Sequence, residues 1–137
     1  NRLELEITES VFEQESPELR SELESLRESG IRLSLDDFGT GYSSLQYLQN
    51  YPFHEIKIDQ SFVRQVEQPS SREIVRTVLS LANALNADVV AEGIETALVR
   101  DALISMGCTL GQGYFFSRPV PAHQFEQILQ NPRLQPG

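Results

Sequence analysis

Residues 31–45 read Ile31-Arg32-Leu33-Ser34-Leu35-Asp36-Asp37-Phe38-Gly39-Thr40-Gly41-Tyr42-Ser43-Ser44-Leu45. The apolar positions from Ile31 to Leu35 form a strand, so two adjacent carboxylates stand where that strand ends. Gly39 and Gly41 follow, and both permit the positive φ of a tight loop. Ser43-Ser44 ahead of Leu45-Gln46-Tyr47-Leu48 then reads as the N-cap and first turn of a helix. Like charges side by side repel, and a divalent cation between them relieves the repulsion. A purely local reading also exists, because Asp and Gly dominate turns and an acid can cap the next helix.

The same strand-then-helix unit repeats on both sides of this stretch. Leu3-Glu4-Leu5-Glu6-Ile7-Thr8 alternates apolar with mostly acidic residues at period two. Ser16-Pro17 opens a helix with Leu19, Leu23 and Leu26 on one stripe, and Gly30 stops it. Downstream, the helix near 43–49 ends at Pro52, and Glu55-Ile56-Lys57-Ile58-Asp59 forms a third strand. Ser70-Ser71 caps a helix carrying Ile74, Val75, Val78, Leu81, Ala82 and Leu85. The fourth strand is Asp88 to Gly93, and Thr96 caps a helix to Met106. A fifth strand runs from Leu110 to Phe116, Pro121 opens a short terminal helix, and the tail from Asn131 is polar. Strands regularly separated by helices imply parallel β-α units with right-handed crossovers.

Composition narrows the partners. The 137 residues suffice for one domain with a sizeable core. A formal charge of −9 argues against a nucleic-acid polymer, while a small phosphate ligand carried on metal ions remains compatible. Residues 1–30 hold nine acids (Glu4, Glu6, Glu9, Glu13, Glu15, Glu18, Glu22, Glu24, Glu28) against three arginines, and most of them suit a solvated helix face. Cys108 is the single cysteine, which excludes an internal disulfide. Its neighbours Met106, Gly107 and Leu110 suit a buried structural thiol. No apolar run approaches the ~20 residues of a membrane span, and no signal peptide is visible.

In parallel β-α folds, ligands bind at the carboxyl ends of the strands. Glu6, Asp36, Asp37, Lys57, Asp59 and Glu92 all fall at or near such ends. Acids after four successive strands face a common centre, which is costly without cations. Lys57 is the only lysine among eleven Lys and Arg residues. It points opposite to Ile56 and Ile58 and to the same side as Asp59. A snorkelling surface lysine is one reading, and an ammonium orienting a water or phosphate oxygen is the other. Glu95 precedes a helix N-terminus, whose free amides stabilise it, whereas Glu92 has no such local role. Gln112 offers an amide donor and acceptor beside the aromatic Tyr114-Phe115-Phe116.

Five stretches together resemble the EAL family, bacterial phosphodiesterases that hydrolyse cyclic di-GMP. They are Glu4 to Ser10, the 36–45 loop, Lys57-Ile58-Asp59 with Phe62-Val63, Ala91 to Glu95, and Gln112-Gly113-Tyr114 with Pro119. The resemblance implies an α/β fold, a partial TIM (β/α)8-type barrel with about five of the eight strands. Residues 1–130 would be the C-terminal part of the domain and 131–137 a tail. It implies Glu6, Asp36 and Asp37 as metal ligands, Lys57 holding the attacking water or phosphate, and Glu92 as general base or metal partner, with Asp59 in support. Glu9, Glu95, Gly39 and Gly41 would support the loop, and Gln112 would contact substrate. Two Mg²⁺ or Mn²⁺ ions, a linear pGpG product, a homodimer, flanking sensory or diguanylate cyclase domains and a cytoplasmic setting complete the expectation. The name-giving Glu-Ala-Leu motif and an Asn-bearing strand are not in this sequence and belong upstream of Asn1. Catalysis is therefore expected of the complete domain rather than of this chain alone. The alternatives are a catalytically inactive cyclic di-GMP receptor and a dimerisation module.

Overall fold

The computed structural model describes residues 3–14, 16–39, 48, 51 and 53–130. Five strands form one all-parallel sheet: β1 (Glu4–Thr8), β2 (Arg32–Phe38), β3 (Glu55–Ile58), β4 (Asp88–Ala91) and β5 (Leu110–Gly111). Each pairs with the next in sequence, in the order β1-β2-β3-β4-β5. That uninterrupted order, with helices in the crossovers, is the winding of consecutive units of a (β/α)8-type barrel. A doubly wound sheet would instead reverse direction at a switch point.

Among the described residues the crossovers carry a 3₁₀ helix (Glu9–Gln14) and four α-helices, and a fifth α-helix follows β5. These are α1 (Pro17–Glu28), α2 (Gln60–Arg64), α3 (Pro69–Leu85), α4 (Ala97–Ser105) and α5 (Ala122–Gln130). Of the helix expected near 43–49 only Leu48 is described, and it is helical and buried; Gly41 and the tail from Asn131 lie outside the described residues.

Local signals explain most boundaries. The Ser16 hydroxyl accepts from Leu19 N–H at 3.1 Å, Pro17 occupies the first turn of α1, and Gly30 follows its end at φ +83°. The Thr96 hydroxyl does the same for α4 through Val99 N–H. α3 departs from expectation. It starts at Pro69 after Gln68, so Ser70 and Ser71 lie inside the helix and Ser71 is buried. Proline's fixed φ and missing N–H suit a first helical position, which outranks the serine pair as a start signal. Asn86 ends α3 at φ +55°, a conformation that Asn tolerates.

Three strands end earlier than expected: β4 stops at Ala91 rather than Gly93, and β3 and β5 also fall short. β3 stops at Ile58 because Asp59 turns out to cap α2, accepting from Ser61 N–H at 2.8 Å and from the Ser61 hydroxyl. β5 is two residues long rather than running to Phe116. Beyond Gly111 the chain crosses the loop that follows β4: Ile94 N–H donates to Gln112 O at 3.1 Å, and Phe115 N–H donates to Ile94 O at 3.0 Å. A Cβ on Gly113 would stand 2.2–2.7 Å from Ile94 backbone atoms, so only glycine permits this crossing.

Leu33, Leu35, Ile56, Ile58 and Ala91 are fully buried on the face of the sheet that meets the helices, with Leu23, Val75, Val78, Ala82 and Leu103 packed against them. Cys108 is buried near the β5 edge with its thiol 3.3 Å from Leu110 O, and burial raises its pKa. No helix among the described residues is long and apolar enough to cross a membrane.

Candidate active site

Strand alternation makes Glu6, Asp36 and Lys57 share the opposite face of the sheet from the apolar core. Their side chains meet at its carboxyl end. Lys57, only 5% exposed, places Nζ 2.7 Å from Glu6 Oε1, 2.7 Å from Glu92 Oε1 and 3.9 Å from Asp36 Oδ1. β1, β2, β3 and the residue after β4 thus each contribute one charge to the same few ångströms.

Asp37 joins them by a backbone device. Neighbouring residues on a regular strand point to opposite faces, so a second carboxylate beside Asp36 would ordinarily face away. Here the β2–β3 register shifts between Leu35 and Phe38, and Asp37 adopts φ +57°. Its N–H donates to Asp36 Oδ1 at 2.9 Å. As a result Asp36, Asp37 and Glu92 each present a carboxylate oxygen within 4.8 Å of the other two. Glu6, also expected as a ligand, stands beside this trio with its Oε1 2.7 Å from Lys57 Nζ, and Glu92 joins the carboxylates that a cation could meet.

The crowding shifts the proton equilibria. Burial raises the pKa of Glu92, helped by the charges of Asp36 and Glu6 and opposed by the Lys57 ammonium. Burial also raises Asp37, reinforced by Asp36 and Asp59. For Lys57 burial alone would lower the pKa, but hydrogen bonds to Glu6 and Glu92 win and raise it. Lys57 is therefore a fixed ammonium donor and not a base. Three hard oxygen donors with a surplus of negative charge fit a cation of the Mg²⁺ or Mn²⁺ kind.

The remaining expected residues divide. Gln112 is brought in, but its Nε2 donates to Glu92 Oε1 at 2.6 Å. Asp59 caps α2 while its charge still reaches Asp37. Glu9 is buried in the 3₁₀ helix after β1. Glu95 pairs with Arg64 of α2 at 2.6 Å, and the loop residues 40–45 it was expected to support lie outside the described residues. Gly39, at φ +95°, packs so that a Cβ would come 3.1 Å from the Phe62 ring.

Sequence reasoning missed the cavity next door. A space of about 660 Å³ opens beside Glu92 and Gln112, with Gln60, Arg64, Tyr114 and Arg118 among its walls. Those four sit on helices and turns, so their strand-end position gave no signal. Gly93 marked the spot: a Cβ there would stand 2.5 Å from Gln60 Cβ.

The profile of the EAL domain family matches residues 1–119. Cyclic di-GMP phosphodiesterase NbdA of Pseudomonas aeruginosa is 44% identical over 131 residues, covering 93% of this chain and 16% of NbdA. The EAL domain of Mycobacterium smegmatis DcpA superposes with a TM-score of 0.88 at 38% identity, covering 98% of this chain and 60% of that one. The manganese/cy-diGMP complex of Klebsiella pneumoniae BlrP1 superposes with a TM-score of 0.79 at 38% identity, covering 85% and 30%. The chain spans only 16–21% of the length of curated relatives it matches.

Proposed function

The chain belongs to the EAL domain family, and from that premise we propose that its parent protein hydrolyses cyclic di-GMP to linear pGpG with divalent cations. The observation that carries the proposal is the Lys57 clamp on Glu6 and Glu92, beside a carboxylate set open to a cation. The names of NbdA and of the BlrP1 complex support the substrate and the metal class. Asp36, Asp37 and Glu92 would hold the metal, and we favour two Mg²⁺ or Mn²⁺ ions. Metal bound there supplies charge neutralisation at the phosphate and a lowered pKa for water.

The chain's own groups do the rest. Lys57 and Gln112 both bond Glu92 Oε1, which leaves Oε2 to accept a proton from the attacking water. Burial raises the pKa of Glu92, which makes its carboxylate a stronger proton acceptor. The water oxygen adds to phosphorus, the P–O3′ bond breaks, and O3′ leaves as a hydroxyl with the proton that Glu92 took from the water, handed on through solvent. Lys57 keeps its charge throughout and orients the carboxylates and a phosphate oxygen. Cytoplasmic action, a homodimer and neighbouring sensory or cyclase domains belong to the same proposal, the last supported by the greater length of the relatives.

The test is turnover of cyclic di-GMP by the parent protein, followed chromatographically with saturating Mg²⁺. Glu92→Gln and Asp36→Asn should each lower it by about 100-fold or more, as loss of a preorganised charge at a reacting centre does. Near-normal turnover in Glu92→Gln would remove Glu92 as the proton acceptor.

A further inference from the structure

The cavity beside Glu92 has a guanidinium on its wall whose N–H edge is unused. Arg118 lies over Tyr114 with Cζ 4.7 Å from the ring centroid. Among the described residues its guanidinium makes no ion pair or hydrogen bond. The other cavity arginine, Arg64, is tied to Glu95 at 2.6 Å. Its place over the Tyr114 ring leaves the N–H donors of the Arg118 guanidinium available to a ligand in the cavity.

That geometry suits one kind of base. A planar fork donates two parallel hydrogen bonds to acceptors lying side by side, as O6 and N7 of guanine do. Adenine offers N7 but replaces O6 with an amino donor, so donor would meet donor. The amides of Gln60 and Gln112 line the same cavity and can serve the remaining polar edge of a base. Glu92 and Gln112 also belong to the reacting site, so a base seated here would bring its own phosphate toward Lys57.

We propose that Arg118, held on Tyr114, is a specificity-determining residue that selects guanine over adenine by donating to O6 and N7. This rests on the reading that the substrate is a cyclic dinucleotide. Arg118 is a binding residue here and takes no part in the proton transfers.

The test measures calorimetric affinities of the parent protein for cyclic di-GMP and cyclic di-AMP, with R118M, R118K and Y114L beside the unaltered protein. The guanine-to-adenine affinity ratio should fall by about tenfold or more in R118M, the scale of one bidentate contact. R118K keeps the charge but lacks the fork, so it should fail to restore the ratio. It also keeps the test alive if R118M does not fold. Y114L, which removes the stack, should shift the ratio in the same direction by less. An equal loss for both ligands in R118M, or full recovery in R118K, would make Arg118 a mere phosphate counter-charge and overturn the inference. Guanine-selective binding without hydrolysis of cyclic di-GMP would sink the proposed reaction and leave this inference standing. Hydrolysis with an Arg118-independent ratio would do the reverse, and binding of neither dinucleotide would overturn both.

Discussion

Two charge clusters occupy opposite ends of the same sheet, and they behave differently. At the amino end Arg32 donates to Glu4 at 2.9 Å and to Asp88 at 3.2 Å, tying β1, β2 and β4 together. At the carboxyl end Lys57 meets Glu6, Glu92 and Asp36, with Asp37 close by. Each cluster has one cation among several acids. The Arg32 side chain is 43% exposed and that of Lys57 only 6%. Water screens the first cluster, whose surplus acid costs little. In the second the Lys57 ammonium is out of water and Asp36 and Glu92 are partly so, although Glu6 remains half-exposed; burial, reinforced by the surplus acids, raises the pKa values of Glu92 and Asp37 and favours a cation. Desolvation, more than the number of charges, separates a site from a staple.

The largest effect follows from removing the buried cation. Lys57→Met should destabilise the metal-free protein by about 1.5–3 kcal/mol, because the partly buried carboxylates of Asp36 and Glu92 lose a charged hydrogen-bond donor. Urea unfolding checks this, and added Mn²⁺ should recover part of the loss by binding the folded state. An unfolding midpoint unmoved by Lys57→Met would put the two clusters on the same footing and break the contrast.

Much of this was legible in the sequence, and the misses have physical causes. Period-two alternation revealed which strand residues lie inside, so Glu6, Asp36 and Lys57 could be placed on one face before any coordinates. Asp37 could be placed near the centre by its position but not by its direction. That depends on a register shift and a positive φ, for which Asp gives no more than tolerance. The reach of Gln112 to Glu92 was hidden for a related reason. β5 was read as continuing to Phe116, and the backbone crossing at Gly113 that ends it depends on a partner 19 residues away, Ile94. Asp59 looked like a strand-end acid because a cap and a ligand have the same residue type. Arg32 gave no hint that it spans two strands to Asp88, since pairing over β3 is a property of the assembled sheet.

The effect of intermediate size is a pH dependence. A carboxyl group raised in the folded state holds its proton at a pH where the unfolded chain has released it. The stability it contributes is present at low pH. It is lost as pH rises from the ordinary carboxylate value through the raised one. The Asp37 side chain is exposed, so solvent screening keeps its slope well below the about 1.4 kcal/mol per pH unit of one full proton. Asp37→Asn removes the titration and keeps a residue that tolerates the left-handed backbone. With a chelator present, the unaltered protein should therefore lose stability relative to Asp37→Asn as pH rises from about 4 to about 7. Adding Mn²⁺ should reverse the order at the upper end, since the ionised carboxylate then has a counter-charge. A constant difference between the two urea midpoints across that range would mean that Asp37 is not desolvated, and the contrast would lose one of its supports.

The smallest effect belongs to the amino-end cluster, and its smallness is the point. Arg32 makes two ion pairs, and Glu4 raises its already high pKa chiefly through a side-chain hydrogen bond. Counting contacts would rank it with Lys57. Its exposure argues otherwise: exposed pairs contribute about 0–1 kcal/mol each, and salt weakens them. Arg32→Met, which keeps an unbranched stem along the sheet, should cost no more than about 1 kcal/mol per lost pair. Most of that cost should vanish at about 1 M salt, where screening acts over roughly 3 Å. The variant should leave the Mn²⁺-induced rise in melting temperature untouched, because the proposed metal ligands lie at the other end of the strands. Melting curves at low and high salt, each with and without Mn²⁺, read all of these together. A salt-insensitive loss of several kcal/mol would show that the Arg32 cluster is dry in the protein, and the distinction between the two ends would then have to rest on something other than water.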